Sequence, residues 1–275
     1  MSNLLEINNL SVDFPSRRGQ VAAVNKVSIE VAKGEVLGLV GESGAGKSTV
    51  GNSIINLLEP PGYISGGEII FDGARIDQLS NEEMRKIRGA KIGTIFQDPQ
   101  TSLNPLMTIG KQLSETLIET LKISGSSARE KAIELLDSVG IPEPEARLDA
   151  YPHQFSGGMR QRVVIALALA GDPDLIIADE PTTALDVSIQ KQILDLIKSL
   201  CKQRNLGVII VTHDIGVIAE IADRVAVMYN GQLVEQGKVT QVLQKPKHEY
   251  TKSLISAVPS GDQKLHRFTV VDYID

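Results

Sequence analysis

A glycine-rich loop between an apolar strand and a helix constrains this 275-residue chain more than any other feature. The segment GESGAGKS at 41–48 has the spacing G-x-x-x-x-G-K-[ST]. It follows LGLV at 37–40, a run typical of a strand buried on both faces. The helical pattern STVGNSIINLL comes next, and we expect Pro60 and Pro61 to end that helix. The order strand, loop, helix is the context in which such a loop binds phosphate.

The residue types in the loop suit an anion. Gly41, Gly44 and Gly46 let the backbone curl so that successive N–H groups point at phosphate oxygens. The helix N-terminus adds partial positive charge, Lys47 adds a full charge, and Ser48 offers a hydroxyl to Mg²⁺. The alternative is a chance glycine-rich turn, which the flanking strand and helix argue against. The loop therefore predicts a site for a nucleotide phosphate.

Two carboxylates stand at the end of another apolar strand, DLIIADE at 174–180. At the carboxyl end of a parallel strand beside a phosphate loop, Asp179 is placed to hold Mg²⁺ through water. Glu180 can polarise an attacking water. Strands often end in acidic residues, so the phosphate loop upstream is what favours this interpretation.

A second anion-binding device precedes the helix in FSGGMRQR at 155–162. Ser156, Gly157 and Gly158 combine a helix N-terminus, an unhindered backbone and a hydroxyl. The simpler interpretation is an ordinary helix cap, since Ser is a good N-cap residue. If both devices bind phosphate, the second can serve the nucleotide held by a different copy.

Strand and helix patterns alternate at both ends of the chain around a helical stretch. Strand patterns occur at 4–14, 21–37, 67–76, 92–96, 174–179 and 207–212, and helical patterns at 108–122, 126–139 and 160–170. Ser80 and Glu83 predict a capping box, and Asn230-Gly231 predicts a hairpin turn. This order predicts an α/β core that carries an inserted helical subdomain.

Composition narrows the function classes. A formal net charge of −6 argues against a dedicated nucleic-acid binder. A single cysteine, Cys201, cannot form an internal disulfide or a metal cage, which indicates a reducing compartment. The longest apolar run, VVIALALA at 163–170, is far shorter than the roughly 20 residues that span a bilayer. We expect a soluble chain that works at a membrane only by docking on other subunits.

The motifs in order resemble the ATP-binding cassette (ABC) ATPases over roughly residues 4–240. They are GESGAGKST, Gln97, FSGGMRQR, LIIADE, TALD at 183–186 and His213 in VTHD. The signature FSGGMRQR separates this family from other phosphate-loop ATPases, such as small-molecule kinases. The resemblance implies a RecA-like mixed sheet with an antiparallel β subdomain and an inserted helical subdomain at about 98–160. It also implies ATP and Mg²⁺ as ligands and a head-to-tail dimer of two cassettes.

The resemblance assigns roles residue by residue. The loop that cradles the phosphates and Mg²⁺ consists of Gly41, Glu42, Ser43, Gly44, Ala45, Gly46, Lys47, Ser48 and Thr49. Ser48, Gln97 and Asp179 would hold Mg²⁺, and Glu180 would be the catalytic base. Lys47, Gln97 and His213 would act at the γ-phosphate and the attacking water.

Further roles concern the second cassette and the base. Asp186 would join the two halves, and Ser156 to Gly158 would act on the nucleotide of the partner. Phe14 stands where the family places an aromatic ring that stacks on adenine, although a core phenylalanine on an edge strand is the alternative. All these positions hold the functional residue type, which implies a cassette competent for hydrolysis.

Two segments resemble one importer group, which transports oligopeptides, dipeptides and nickel. They are FQDPQTSLNPLMTIGKQL at 96–113 and HEYTKSLISAVP at 248–259, where Glu249 replaces the usual proline. The resemblance implies an ATPase subunit peripheral to the cytoplasmic face of the inner membrane. Its partners would be a second, similar ATPase, two membrane-spanning permeases and, indirectly, an extracytoplasmic solute-binding protein. We expect residues 1–240 to form the nucleotide-binding domain and 241–275 a short C-terminal tail.

Other functions stay open at this point. An exporter or lipoprotein-release ATPase would be expected to lack both segments. A soluble ABC protein of DNA repair or translation would be expected to carry two cassettes, a zinc module or long coiled coils. Cargo selection belongs to the binding protein and permeases, so dipeptides, oligopeptides, nickel, opines and glutathione are all compatible, as are homodimer and heterodimer.

Overall fold

Strands and helices of a computed structural model of the chain are described for residues 3–16, 19–183 and 185–257. The strands are β1 (Leu5–Ser16), β2 (Gly19–Val31), β3 (Val36–Val40), β4 (Tyr63–Phe71), β5 (Ala74–Arg75), β6 (Ile92–Ile95), β7 (Leu175–Asp179), β8 (Gly207–Thr212), β9 (Arg224–Tyr229) and β10 (Gln232–Lys238). The helices are α1 (Lys47–Ile54), α2 (Asn81–Ile87), α3 (Pro99–Ser102), α4 (Ile109–Leu121), α5 (Gly125–Ser138), α6 (Pro144–Arg147), α7 (Gly157–Leu169), α8 (Val187–Arg204), α9 (Ile215–Ile221), α10 (Val239–Gln244) and α11 (Glu249–Ser256). A 3₁₀ turn at Pro152–Gln154 precedes α7.

The strands form two sheets. One has the order β10-β9-β3-β8-β7-β6, in which β10 pairs antiparallel with β9 and all other pairs are parallel. The other is antiparallel, with the order β2-β1-β4-β5. This mixed α/β architecture with a separate antiparallel sheet confirms the predicted fold class.

The mixed sheet is buried on both faces. Alternate residues of its strands belong to two different apolar clusters, as the pleat requires. In β8, Ile210 packs with the helices, whereas Ile209 and Val211 pack with the antiparallel sheet and α1. Double-sided burial is the reason that these strands read as continuous apolar runs in the sequence.

The helices α3 to α6 lie between β6 and β7 in the chain, and their core is apolar. Leu113 and Leu117 of α4 pack with Ala132 and Leu136 of α5 and with Val163 of α7, all of them buried. The hydroxyls of Thr108 and Ser124 cap α4 and α5. The predicted helices at 108–122 and 126–139 are therefore confirmed.

Local turn signals also match the structure. Ser80 and Glu83 form the predicted capping box at the start of α2. Asn230 and Gly231 form the predicted hairpin turn between β9 and β10, with φ of 47° and 76°.

The end of α1 differs from the prediction. The helix ends at Ile54, well before Pro60. Asn56 adopts a left-handed conformation with φ of 51°, and the Leu57 N–H donates to the Asn52 carbonyl at 2.8 Å. This is a Schellman closure, in which asparagine takes the place of the usual glycine. The helix is therefore ended by the residues directly after it, and Pro60 and Pro61 lie farther along the chain.

The contact between β6 and α7 gives a test of the fold. An ideal Cβ on Gly93 would lie 2.2 Å from the Ala168 carbonyl oxygen of α7. We expect Gly93→Ala to push strand and helix apart and to lower the free energy of unfolding by about 1–3 kcal/mol. Urea denaturation followed by circular dichroism measures this difference.

Gly125→Ala is the matched control, because an added Cβ at this first residue of α5 meets no atom within 4 Å. This variant should be neutral or more stable by up to about 1 kcal/mol. Equal urea midpoints for Gly93→Ala and the parent would contradict the packing described here.

Candidate functional site

Four parallel strands deliver the candidate residues to one edge of the mixed sheet. The phosphate loop follows β3, Gln97 follows β6, Asp179 ends β7 and His213 follows β8. The register places Val40 beside Thr212 and Val211 beside Asp179. Because carboxyl ends of parallel strands lie at the same edge, residues far apart in sequence become neighbours there.

The phosphate loop is wedged against backbone on two sides. A Cβ on Gly41 would lie 2.2 Å from the Met228 carbonyl oxygen, and one on Gly46 would lie 2.4 Å from the Ala23 carbonyl oxygen. Gly46 also has φ of 95°, immediately before α1 begins. Any side chain at these two positions would displace the loop, which explains why both are glycine.

The hairpin between β9 and β10 supports the same loop. The Gly231 N–H donates to the Ala45 carbonyl at 3.2 Å, and Gly231 accepts from the Asn25 N–H at 2.8 Å. Ser43 and Gly44 are exposed at the loop tip, and Thr49 lies in the first turn of α1. The loop thus has a fixed base and an open tip.

Lys47 is a buried cation inside the loop. Only 6% of the Lys47 surface is exposed to solvent. Its Nζ donates to the carbonyls of Gly41 and Glu42, each at 2.8 Å. Burial lowers the pKa of Lys47 from its ordinary value, and the carboxylates of Glu180 and Asp179 oppose that shift. These carbonyls take two of the three N–H donors of the ammonium, and the third can be donated to an anionic ligand.

Asp179 and Ser48 fit a magnesium ion. The Asp179 Oδ1 is buried and has no hydrogen-bond partner within the described residues. Burial raises the pKa of Asp179, and an interaction with the Ser48 hydroxyl partly offsets the rise. An unsatisfied carboxylate oxygen is costly unless a ligand completes it. A carboxylate and a hydroxyl are oxygen donors of the kind that Mg²⁺ takes alongside phosphate and water.

The Glu180 carboxylate is the point on which three side chains converge. Its Oε2 accepts from Gln97 Nε2 and from the Thr183 hydroxyl, each at 2.9 Å. Its Oε1 lies 2.9 Å from Nδ1 of His213. The Glu180 side chain is 16% exposed, whereas that of His213 is 59% exposed.

The electrostatics of Glu180 suit a proton acceptor. Partial burial works against ionisation, but the hydrogen bonds from His213 and Thr183 outweigh it and hold the pKa of Glu180 below its ordinary value. The carboxylate is therefore ionised at neutral pH. Glu180 also has φ of 45°, a conformation rare for a residue with a long side chain. Its N–H donates to the Val211 carbonyl at 2.8 Å, which holds the strained backbone on β8.

Thr183 is the contact to Glu180 that the motifs did not predict. It is the first residue of the TALD segment, three residues beyond Glu180. Only its place in the structure shows that it contacts Glu180. The left-handed backbone at Glu180 folds the chain back so that the Thr183 N–H donates to the Glu180 carbonyl at 3.1 Å. No propensity or spacing rule applied to the sequence indicates this turn.

Ser156, Gly157, Gly158 and Asp186 form a second group. Ser156 caps α7 by accepting from the Met159 N–H at 3.3 Å, the simpler role considered for it. Asp186 caps α8, and a Cβ on Gly158 would lie 2.7 Å from Ile189 of that helix. In the part of the chain that the structure describes, no hydrogen bond or ion pair joins this group to the phosphate loop.

Phe14 lies near the end of β1, half-buried against the apolar cluster that contains Val12 and Val24. Its ring also covers Gly62, where an added Cβ would lie 2.5 Å from a ring carbon. The ring thus has core contacts, and its stacking on adenine stays a prediction.

The fold and the loop together define a phosphate-loop nucleotide-binding protein. A family model described as ABC transporter matches residues 24–183, and one described as Oligopeptide/dipeptide transporter, C-terminal region matches residues 234–272. Among curated relatives, the oligopeptide transport ATP-binding protein OppD of Bacillus subtilis is 52% identical, over 96% of this chain and 75% of that protein. The dipeptide transport ATP-binding protein DppD of the same organism is 50% identical, over 99% of this chain and 82% of that protein.

Solved structures agree with the relatives. A dimeric post-hydrolysis state of the ATP-binding cassette MJ0796 bound to ADP and Pi has a TM-score of 0.75 at 33% identity, covering 86% of this chain and 98% of that one. CbiO1 of Clostridium perfringens, part of the ABC transporter complex CbiONQ, has a TM-score of 0.77 at 29% identity, covering 89% and 92%. The chain belongs to the ABC transporter family and is an ATP-hydrolysing cassette of that family.

Lys47→Ala tests the loop directly. The variant removes the cation that its own loop holds through two carbonyls, so we expect the Kd for ATP to rise at least about tenfold, as for the loss of a charge-assisted hydrogen bond. Isothermal titration calorimetry with ATP measures the affinity.

Lys91→Ala is the matched control, because Lys91 is exposed and pairs with Asp174 at 3.5 Å, at the opposite end of β7. It should bind ATP like the parent. An unchanged Kd for Lys47→Ala in a folded protein would remove Lys47 from the phosphate site.

Proposed function

We propose that this ATPase energises the import of oligopeptides or dipeptides through a membrane transporter. The observation that carries the proposal is the match of residues 234–272 to the C-terminal region of oligopeptide/dipeptide transporters, on a chain about 50% identical to OppD and DppD. The segment FQDPQTSLNP at 96–105 and the HEYT segment support the same cargo class. Of the latter segment, Val258 and Pro259 lie outside the described residues.

The working unit is a head-to-tail dimer of cassettes. Its support is the separation of the site residues into two groups that make no hydrogen bond or ion pair with each other among the described residues. The N-terminus of α7 presents the exposed Gly157 and the Ser156 hydroxyl, whose oxygen already accepts from Met159 and whose hydrogen can be donated to a phosphate. In the dimer, this group serves the nucleotide of the partner cassette. The similar MJ0796 structures are dimeric.

Each residue at the sheet edge has a part in hydrolysis. Loop N–H groups and Lys47 bind the phosphates of ATP, and Ser48, Asp179 and Gln97 hold the magnesium ion. That ion, when bound, neutralises charge on the phosphate oxygens. Glu180 accepts a proton from the attacking water, while His213 and Thr183 keep its carboxylate ionised and oriented. Phe14 stacks on adenine, and Asp186 joins the two halves.

The membrane partners are two permeases that dock on the segment after Gln97. Within this segment the Leu106 side chain is 85% exposed, and Phe96, directly before Gln97, is 47% exposed, an unusual exposure for large apolar side chains. None of the described helices is long and apolar enough to cross a membrane. We place the chain at the cytoplasmic face of the inner membrane, where closure of the dimer on ATP moves the permeases and an extracytoplasmic binding protein delivers the solute.

The proposed boundaries follow these roles. Residues 1–240 are the nucleotide-binding domain, with the helical subdomain at about 98–160, and 241–275 are the C-terminal tail. The tail includes α10 in part and α11, and residues 258–275 lie outside the described residues.

Glu180→Gln tests the assignment of the base. Because Gln keeps the length of the side chain but accepts no proton, ATP should still bind while kcat falls by about 10²–10⁴-fold. Because the bound ATP is not hydrolysed, we expect the dimer to stay closed. It should then elute at twice the monomer mass in size-exclusion chromatography with ATP and Mg²⁺. Phosphate release measures turnover.

Glu220→Gln, an exposed change on α9, is the matched control and should keep parental turnover. Turnover unchanged in Glu180→Gln would exclude Glu180 as the base. Full turnover by a monomer at high dilution would exclude the shared site.

Peptide import is tested in cells that lack this chain. We expect uptake of labelled di- or oligopeptides to stop, to return with the parent chain and not to return with Glu180→Gln. The tagged chain should also co-purify from membranes with polytopic permeases.

Two outcomes would overturn this function. Unaffected peptide uptake, with loss of export or lipoprotein release, would favour another ABC system. Co-purification with ribosomes or DNA in place of permeases would favour a soluble ABC protein.

A further inference from the structure

The helix α11 contacts the phosphate loop, although they are more than 200 residues apart. The Tyr250 hydroxyl accepts a hydrogen bond from the Glu42 N–H, at 2.9 Å and a sequence separation of 208 residues. The Tyr250 ring lies against the ring of Tyr229 at the end of β9, with centroids 4.3 Å apart and planes 32° apart. The tail therefore reaches the base of the loop rather than its open tip.

The contact fixes one peptide group from both sides. The Glu42 N–H belongs to the same peptide group as the Gly41 carbonyl, and that carbonyl accepts from Lys47 Nζ at 2.8 Å. The peptide thus donates to the tail and accepts from the lysine of the loop. Its plane cannot turn without breaking one of these two bonds.

Tyr250 is itself held in place. Both oxygens of Glu235, on β10, accept backbone N–H groups, from Lys247 at 2.9 Å and from His248 at 3.0 Å. The His248 Nδ1 accepts from the Tyr250 N–H at 3.1 Å and caps α11. Burial raises the pKa of Tyr250, so its hydroxyl stays neutral at physiological pH. The tyrosine is anchored to the sheet and does not depend on the loop for its position.

We propose that Tyr250 is a positioning residue for the phosphate loop: its hydroxyl sets the Gly41–Glu42 peptide, and through it Lys47, in the geometry that receives ATP. A loop held in its binding conformation loses less entropy when the ligand arrives, and this raises affinity without a new contact to the ligand. The proposal rests on ATP binding at this loop. It gives the tail a role in nucleotide affinity that acts through the loop.

Tyr250→Phe in the full chain is the test, because it removes the hydroxyl and keeps the ring contact with Tyr229. We expect the Kd for ATP, measured by calorimetry, to rise about two- to tenfold, the change that one hydrogen bond contributes. The KM for ATP should rise by the same factor, while kcat at saturating ATP stays within about twofold.

Tyr229→Phe is the matched control. It removes the other hydroxyl of the same ring pair, for which the described residues offer no hydrogen bond. It should leave both Kd and KM at parental values. A Kd for Tyr250→Phe equal to that of the parent and the control would overturn the proposal.

A double-mutant cycle separates positioning from general stability. Glu235→Ala loosens the anchor of α11, so it should weaken ATP binding in the same direction. Combined with Tyr250→Phe it should add nothing further, because both act through one hydroxyl. Additive losses, or a fall in kcat that follows a lowered melting temperature, would assign α11 a structural role only. A parent chain that binds no ATP would instead refute the nucleotide site.

Discussion

The parallel pairing of β3 with β8 and of β8 with β7 is the constraint on which the site depends. It fixes Val40, Thr212 and Asp179 at one edge. The residues that follow these strands are therefore neighbours, independent of the conformation of the segments that connect the strands. Both faces of these strands are buried, one by helices and the other by the antiparallel sheet and α1. A register shift would move every buried side chain to the wrong face, so the register is strongly determined. The packing of the core therefore fixes the relative positions of the site residues.

Two charged centres with different surroundings result from this arrangement. Lys47 is enclosed by its own loop, and burial lowers its pKa. Glu180 is less enclosed and surrounded by donors, which lower its pKa although burial opposes this. The Lys47 ammonium gives two of its three N–H donors to carbonyls, so the third can be donated to phosphate, and the ionised Glu180 carboxylate can accept a proton. Asp179, the residue before Glu180, keeps one oxygen without a partner in the described part of the chain.

Much of this could be predicted from the sequence because the signals are local. The phosphate loop, the capping box at Ser80 and the turn at Asn230 each depend on a few consecutive residues, and the structure contains all three turns. Continuous apolar runs indicate the central strands β3 and β7, because these strands are buried on both faces. The proline signal places the end of α1 too late, because the weaker preference of Asn56 for a left-handed conformation already ends the helix.

The contacts that sequence reasoning missed are those made through tertiary structure. Thr183 meets the Glu180 carboxylate only because the backbone between them takes an uncommon turn. Tyr250 reaches Glu42 across almost the whole length of the chain. A motif indicates which chemistry a residue type can perform, but it does not indicate which distant side chain supports it.

The left-handed backbone at Glu180 has a consequence for how such proteins diverge. The conformation costs a glutamate on the order of 1–3 kcal/mol, and glycine or asparagine adopts it more easily. Replacement of Glu180 by glycine or asparagine should therefore relieve backbone strain. With Glu180 as the proposed base, the glutamate is kept for hydrolysis at a cost in stability, and a cassette that no longer needs to hydrolyse ATP would become more stable by losing it.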